Sequence, residues 1–450
     1  MLTRRCFLKQ SGVAFTGAAI LSVLGKVGMA KAAAEDYKSL VCIFLSGGND
    51  SNNLLIPIGA EYGAYELVRG RNSNLNIPMA NWLPILSQNH SGRIFGLHPA
   101  MTGIKSLYEQ GRAAILLNTG TLVHPIIRAD YQSGIAIPDN LFSHQDQTQQ
   151  WQTGSWTSEL RKSGWGGRLA ETVGPLMNVG ANFPMLMSMN GNNLFNTAQN
   201  ANEIAPGAIN LKGFNQLSSL DRRSAMRNLE SLEYGLSLVK AKNYLTGTAI
   251  DNMATLETLL GTSSPLSTLF PLSNIGYQLK MVASIISLRN LLGLKRQVFF
   301  CSMDGFDTHS NQLSTQAGLF QNLDAALLAF YKATIELGID QSVTSFTLSD
   351  FGRTFKPTSS GGSDHGWGSH HMIIGGAVNG GNLYGNYPTL SLGGPDDTDD
   401  EGRWIPTVSV DEYGAQLARW FGASDPSNIV PNINNFDKNR TDINFMKIGW

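Results

Sequence analysis

The chain has 450 residues, a formal net charge of −1, 15% charged residues and 48 glycines. That balance fits a well-packed globular protein and excludes a disordered chain or a basic nucleic-acid binder. One large core, or a core with a big insertion, is expected at this length.

The first residues follow a different logic. TRRCFLKQSG, Thr3 to Gly12, precedes an apolar, uncharged run from Val13 to Gly25, then Lys26 and small residues ending in GMA and KAAA. This is the pattern of a twin-arginine signal peptide over residues 1–34, with an apolar run too short and too rich in Gly, Ala and Ser for a stable membrane span. Cleavage near Ala30 or Ala34 is expected. Loss of the first thirty residues removes Arg4, Arg5, Lys9 and Lys26 and no acid, which moves the formal charge from −1 to −5. Nucleic acid and anionic membranes are poor partners for such a surface. The chain therefore reads as periplasmic or extracellular, with the twin-arginine translocase as its partner during export. Cys6 leaves with the leader. Cys42 and Cys301 sit in apolar, strand-like runs, where a free thiol acts as a small buried hydrophobe. A disulfide between them needs a geometry that spacing does not supply.

Residues 35–450 read as one α/β domain. SLVCIFLSGGND, Ser39 to Asp50, is a continuous apolar run ending in Gly-Gly-Asn-Asp, as in a strand buried on both faces. RQVFFCSMDGFDTH, Arg296 to His309, repeats the design after a helical pattern from Gln278 to Leu292. SVTSFTLSDFGRT, Ser342 to Thr354, repeats it again after an amphipathic stretch with Leu319, Leu323, Leu327 and Phe330 on one face. Helix then strand, repeated, predicts a mainly parallel central sheet with helices on both faces. Residues 214–294 read as a helical insertion, and VSVDEYGAQLARWFG, Val408 to Gly422, as a capped helix. In such sheets ligands bind beyond the carboxyl ends of the strands, where Asp50, Asp304, Asp307, His309 and Asp350 fall.

SDHGWGSHH, Ser363 to His371, gathers Asp364, His365, His370 and His371. Converging with Asp50, Asp307, His309 and Asp350 on one rim, these groups would be hard to bury without a cation. The donor set is oxygen and nitrogen, which suits zinc, manganese, iron or calcium and argues against a thiolate site. Some of the histidines and acids could orient a ligand imidazole instead of binding metal. The bland reading is a set of capping acids and hydrogen-bonded histidines.

A second cluster is FSHQDQTQQWQTG, with Ser143, His144 and Asp146, followed by GWGGR. Adjacent Ser and His side chains on a strand point to opposite faces, so Ser143 and His144 make a poor nucleophile and base unless a metal activates the serine. The stretch reads equally well as a polar loop packed beneath the site by Trp151 and Trp165. Arg353 is a candidate anion clamp or an ordinary structural arginine.

Taken in order, the twin-arginine leader, FLSGGND, FSHQDQ with WQTG, GWGGR, GFDTH, SDFGRT, DHGWGSHH with GGAVNGG, and VSVDEYGAQLARWFG resemble a bacterial family of exported proteins, domain of unknown function 1501, from about Leu40 to Gly422. The resemblance extends distantly to the alkaline phosphatase and sulfatase superfamily. It implies that Asp50 is the metal-binding acid after the first strand and that Asp307 and His309 are the later acid and histidine pair. Asp350 matches a further ligand, while Phe351 stands where a histidine would, leaving residues 365–371 to supply that imidazole. Ser143 is the nearest candidate nucleophile. The function implied is a metal-dependent hydrolase of phosphate or sulfate esters acting on an anionic small molecule or envelope polymer. The alternative is a non-catalytic metal-binding or assembly protein of the cell envelope. A metal-free serine esterase is disfavoured, because the chain lacks a G-x-S-x-G elbow at Ser143.

Overall fold

The computed structural model describes residues 36–70, 75–90, 93–156, 162–207, 224–228 and 236–447. The leader expected over residues 1–34 lies outside them. The strands are β1 (Lys38–Leu45), β2 (Leu55–Pro57), β3 (Leu83–Leu86), β4 (Ile94–Leu97), β5 (Ala113–Gly120), β6 (Leu186–Ser188) and β7 (Glu203–Ile204). They continue with β8 (Arg296–Met303), β9 (Val343–Ser349), β10 (Arg353–Pro357), β11 (Ser363–His365), β12 (Ser369–Gly375), β13 (Leu383–Tyr384) and β14 (Val408–Ser409).

The three apolar runs of the sequence become the centre of one sheet. β1 pairs in parallel with both β8 and β9, and all three are buried along nearly their whole length. Among the described residues the sheet has nine strands in the order β13–β5–β12–β9–β1–β8–β6–β7, with β14 also paired to β5. β12 runs antiparallel between β5 and β9, and the other pairings are parallel. The α/β class and mainly parallel sheet expected from the sequence are therefore present. β2, β4 and β3 form a small antiparallel sheet, and β10 with β11 forms a hairpin that sets Arg353 opposite His365.

Helices flank the sheet. Thr102–Glu109, Asn274–Ser287 and Gln312–Glu336 pack together and onto β5 and β8, while His144–Thr153, Trp165–Met177 and Val410–Phe421 cover β1, β8 and β9. Within residues 214–294 the long helix Ser237–Thr262 is largely exposed, whereas Asn274–Ser287 buries Ile275, Leu279, Val282, Ile285 and Ile286 in the core layer. Cys42 and Cys301 are free, buried thiols on neighbouring strands. Among the described residues no helix is long and apolar enough to cross a membrane.

The topology has one consequence for chemistry. β1, β8 and β9 end at the same edge, and β12, being antiparallel, begins there. Residues 46–50, 304–309, 350–353 and 363–368 therefore come to one rim.

Candidate functional site

Two glycines let these loops approach. Gly47 has φ +114°, and a Cβ there would lie 2.3 Å from the backbone nitrogen of Asp307. Gly48 has φ +80°, and its Cβ would meet the Phe351 ring at 2.5 Å. Only glycine accepts both the left-handed backbone and the contact. The fifth contributor is the helix His144–Thr153. Ser143 caps it, its Oγ accepting from the Asp146 N–H at 3.4 Å and donating to Asp146 Oδ2 at 2.8 Å. The cap places His144 in the first helical turn, facing the rim.

Each of two imidazoles is pinned through one nitrogen. His144 Nδ1 lies 2.7 Å from Asp350 Oδ2, and Asp350 Oδ1 accepts the Gly47 N–H at 3.0 Å. His365 Nδ1 lies 2.8 Å from the Phe142 carbonyl oxygen. A carbonyl only accepts, so His365 carries its proton on Nδ1, and the carboxylate of Asp350 favours the same tautomer in His144. Both Nε2 atoms then present lone pairs. They are buried, have no hydrogen-bond partner among the described residues, and lie 3.5 Å (His144) and 3.6 Å (His365) from Asp307 Oδ1. The Phe351 ring packs against both, with centroid distances of 4.7 Å to each.

Asp307 is held from behind. Arg353 Nη1 donates to Asp307 Oδ1 at 3.1 Å and to the Gly47 carbonyl at 2.9 Å, and Arg353 Nε donates to Ser363 Oγ at 3.1 Å. His309 Nε2 lies 2.9 Å from Asp307 Oδ1. Burial raises the Asp307 carboxyl, but hydrogen bonding and charge from Arg353, with His309 and His144, outweigh it and hold the group below the usual carboxylate range. The bond to Asp350 raises His144 above the ordinary imidazole value against the effect of burial. Burial lowers His365.

One ligand atom each from His144, Asp307 and His365 lie within 4.8 Å of one another, as do atoms from His309, Asp364 and His365. One imidazole nitrogen has one lone pair, so His365 cannot serve both sets at once. The first set fits a cation better, because its imidazole nitrogens are buried and unpaired, whereas His309 and Asp364 are exposed.

The remaining sequence candidates are elsewhere or otherwise engaged. Asp50 is buried in a bidentate pair with Arg69, at 2.6 Å and 3.0 Å, and also accepts from Gln312 Nε2. It joins neither convergent set, because the fully buried guanidinium already neutralises it. Asp350 acts on His144 and not on the convergent point. Asp364 is an exposed carboxylate that accepts the His365 N–H at 2.8 Å and faces Arg403 at 3.7 Å. His370 and His371 are strand residues inside the core. His370 Nδ1 accepts the Asn118 N–H at 3.0 Å, and His371 packs against Trp151 and Tyr413. Ser143 Oγ serves the helix cap, and Arg353 spends its donors inside the protein, so neither is presented to the cleft as nucleophile or anion clamp. The supports that the sequence did not reveal are Arg69, Gln312 and the Phe142 carbonyl: Arg69 and Gln312 lie in no motif, Phe142 opens the FSHQDQ stretch but acts through its main chain, and each acts across a tertiary contact.

Solved structures similar to this chain have low identity. A sulfatase from Pseudoalteromonas sp. is 11% identical, with 86% of this chain and 68% of that one covered and a TM-score of 0.34. The lipoteichoic acid synthase LtaP from Listeria monocytogenes is 8% identical over 93% and 78%, with a TM-score of 0.31. The soluble domain of lipooligosaccharide phosphoethanolamine transferase A from Neisseria meningitidis is 8% identical over 90% and 92%, with a TM-score of 0.31. Likeness at this level carries no argument about activity, which rests on the site. No curated protein matches the chain in sequence. Residues 37–397 match the family described as protein of unknown function (DUF1501), and the chain belongs to that family.

Proposed function

We propose that the protein is an exported, metal-dependent hydrolase of phosphate or sulfate esters, with a divalent cation held by His144 Nε2, Asp307 and His365 Nε2. The observation that carries this reading is the pair of buried, unpartnered imidazole nitrogens aimed at one carboxylate. Such atoms are costly to bury unless something binds them. Two imidazoles and a carboxylate suit zinc, manganese or iron better than calcium, which prefers oxygen. When bound, the cation supplies Lewis acidity toward an ester oxygen and lowers the pKa of a nearby water. The protein's own groups prepare the site: Asp350 keeps the His144 proton on Nδ1, Arg353 keeps Asp307 ionised, and Phe351 excludes water from one side.

A second reading, a non-catalytic metal-binding or assembly protein of the envelope, is favoured by the commitment of Ser143 and Arg353 to structural bonds. Elemental analysis and a panel of aryl phosphate, phosphodiester and aryl sulfate substrates separate the two. The hydrolase reading expects stoichiometric metal and turnover of at least one substrate, both lost in Asp307→Ala, with turnover surviving Ser143→Ala. Metal without turnover supports the binding protein, and absence of both refutes the metal-dependent reading. Export by the twin-arginine route expects that Arg4→Lys with Arg5→Lys stops periplasmic accumulation, and normal accumulation of that variant refutes the route.

A further inference from the structure

The cleft above the His144, Asp307 and Asp350 cluster has a volume of about 520 Å³ and continues along the helix His144–Thr153. Gln145, Thr148 and Gln149 line it, on the same helical face as His144. The opposite face of that helix is committed to the core through the buried Gln147, Gln150 and Trp151. Asp304 and Gly305 also line it, and among the described residues no lysine or arginine does. Beside the candidate cation the cleft thus offers the neutral amide of Gln145 and the hydroxyl of Thr148, each able to donate and accept, and one exposed carboxylate, Asp304.

We infer that this face binds the uncharged, hydroxyl-rich alcohol portion of an ester carrying a single anionic group, and that Asp304 selects against a second anion. The inference rests on the metal-hydrolase reading, since the cation is what would hold the anionic group beside Gln145 and Thr148. Hydroxyl groups of the alcohol match the amide of Gln145 and the hydroxyl of Thr148. A further phosphate or sulfate on the same molecule would meet a carboxylate that no cationic side chain among the described lining residues offsets.

The test uses the full mature chain loaded with cobalt(II), whose visible spectrum reports the metal and any anion reaching it without requiring turnover. The probes are inorganic phosphate, glucose 6-phosphate and fructose 1,6-bisphosphate. One or two added hydrogen bonds should make glucose 6-phosphate bind about tenfold more tightly than inorganic phosphate. Gln145→Ala, at an exposed helix position, should reduce that ratio to about threefold. The bisphosphate should bind no more tightly than glucose 6-phosphate to the unmodified protein, and should gain about fivefold on it in Asp304→Asn. Equal affinity for glucose 6-phosphate and inorganic phosphate overturns the alcohol subsite while leaving the metal reading intact. A bisphosphate preference unchanged by Asp304→Asn overturns the selective role of Asp304. Failure of cobalt to give a bound spectrum overturns the metal reading and this inference with it.

Discussion

Asp350 acts through an imidazole. Its Oδ2 faces His144 Nδ1 and its Oδ1 accepts the Gly47 N–H, so an asparagine could keep the second contact and reverse the first. An amide N–H directed at Nδ1 would make that nitrogen the acceptor and move the ring proton to Nε2, removing the lone pair offered to a cation. Asp350→Asn is expected to weaken zinc binding about 10- to 100-fold, the range for lost support of a ligating histidine. Competition with a chromogenic chelator measures it, and unchanged affinity would show that Asp350 does not set the tautomer. The residues behind this arrangement were legible to different degrees. Asp307 and Asp350 could be placed on one rim because acids after parallel strands share an edge, and His365 through the histidine-rich stretch that holds it. The engagement of Asp50 by Arg69 could not, because Arg69 lies in the ordinary amphipathic helix Tyr62–Arg69 and meets Asp50 only in the folded chain.

At the scale of elements, β12 shows why a histidine-rich stretch need not be a ligand set. Ser363 to His371 is rich in glycine and polar groups, and its pattern predicts that Asp364, His365, His370 and His371 converge on the rim, some as ligands and some orienting them. The antiparallel strand instead starts at Ser369 and draws His370 and His371 into the sheet while leaving His365 at its mouth. Burial pushes both His370 and His371 down to about 3. Below the unfolded imidazole value of about 6.5 the unfolded chain takes up protons that the folded chain refuses, so stability falls as pH falls, until pH approaches 3. Each imidazole contributes about 1.4 kcal/mol per pH unit over that window, or about 2 kcal/mol at pH 5. His371→Phe, placed between the Trp151 and Tyr413 rings, should remove about half of the loss due to this pair. Urea unfolding at pH 7 and pH 5 gives the comparison, and an acid loss identical in the variant would show that His371 is not part of it.

For the whole molecule, the sequence carried the sheet because β1, β8 and β9 are long apolar runs, each ending in a glycine- or aspartate-marked turn. It did not carry the short strands β6, β7, β13 and β14, which have two or three residues each and no periodicity to read. The candidate centre draws on segments more than 200 residues apart, from His144 to Asp350 and His365, so its donors exist as a set only in the folded chain. A cation that binds the folded state alone stabilises it by mass action, by about 2.7 kcal/mol at a hundredfold excess over its dissociation constant. With the unfolding entropy typical of a chain of this length, that is about 3 °C in midpoint temperature. Dialysis against a chelator should therefore lower the thermal midpoint by about this amount, and added zinc should restore it. Asp307→Ala separates a specific effect from zinc adhering to the surface: its carboxylate is the point on which both orphan nitrogens converge, so its midpoint should be insensitive to chelator and zinc alike. A native midpoint that ignores the chelator, in protein whose zinc content the chelator has removed, would mean that the cluster binds its cation too weakly to matter to the fold. A zinc response retained in Asp307→Ala would place the stabilising cation elsewhere.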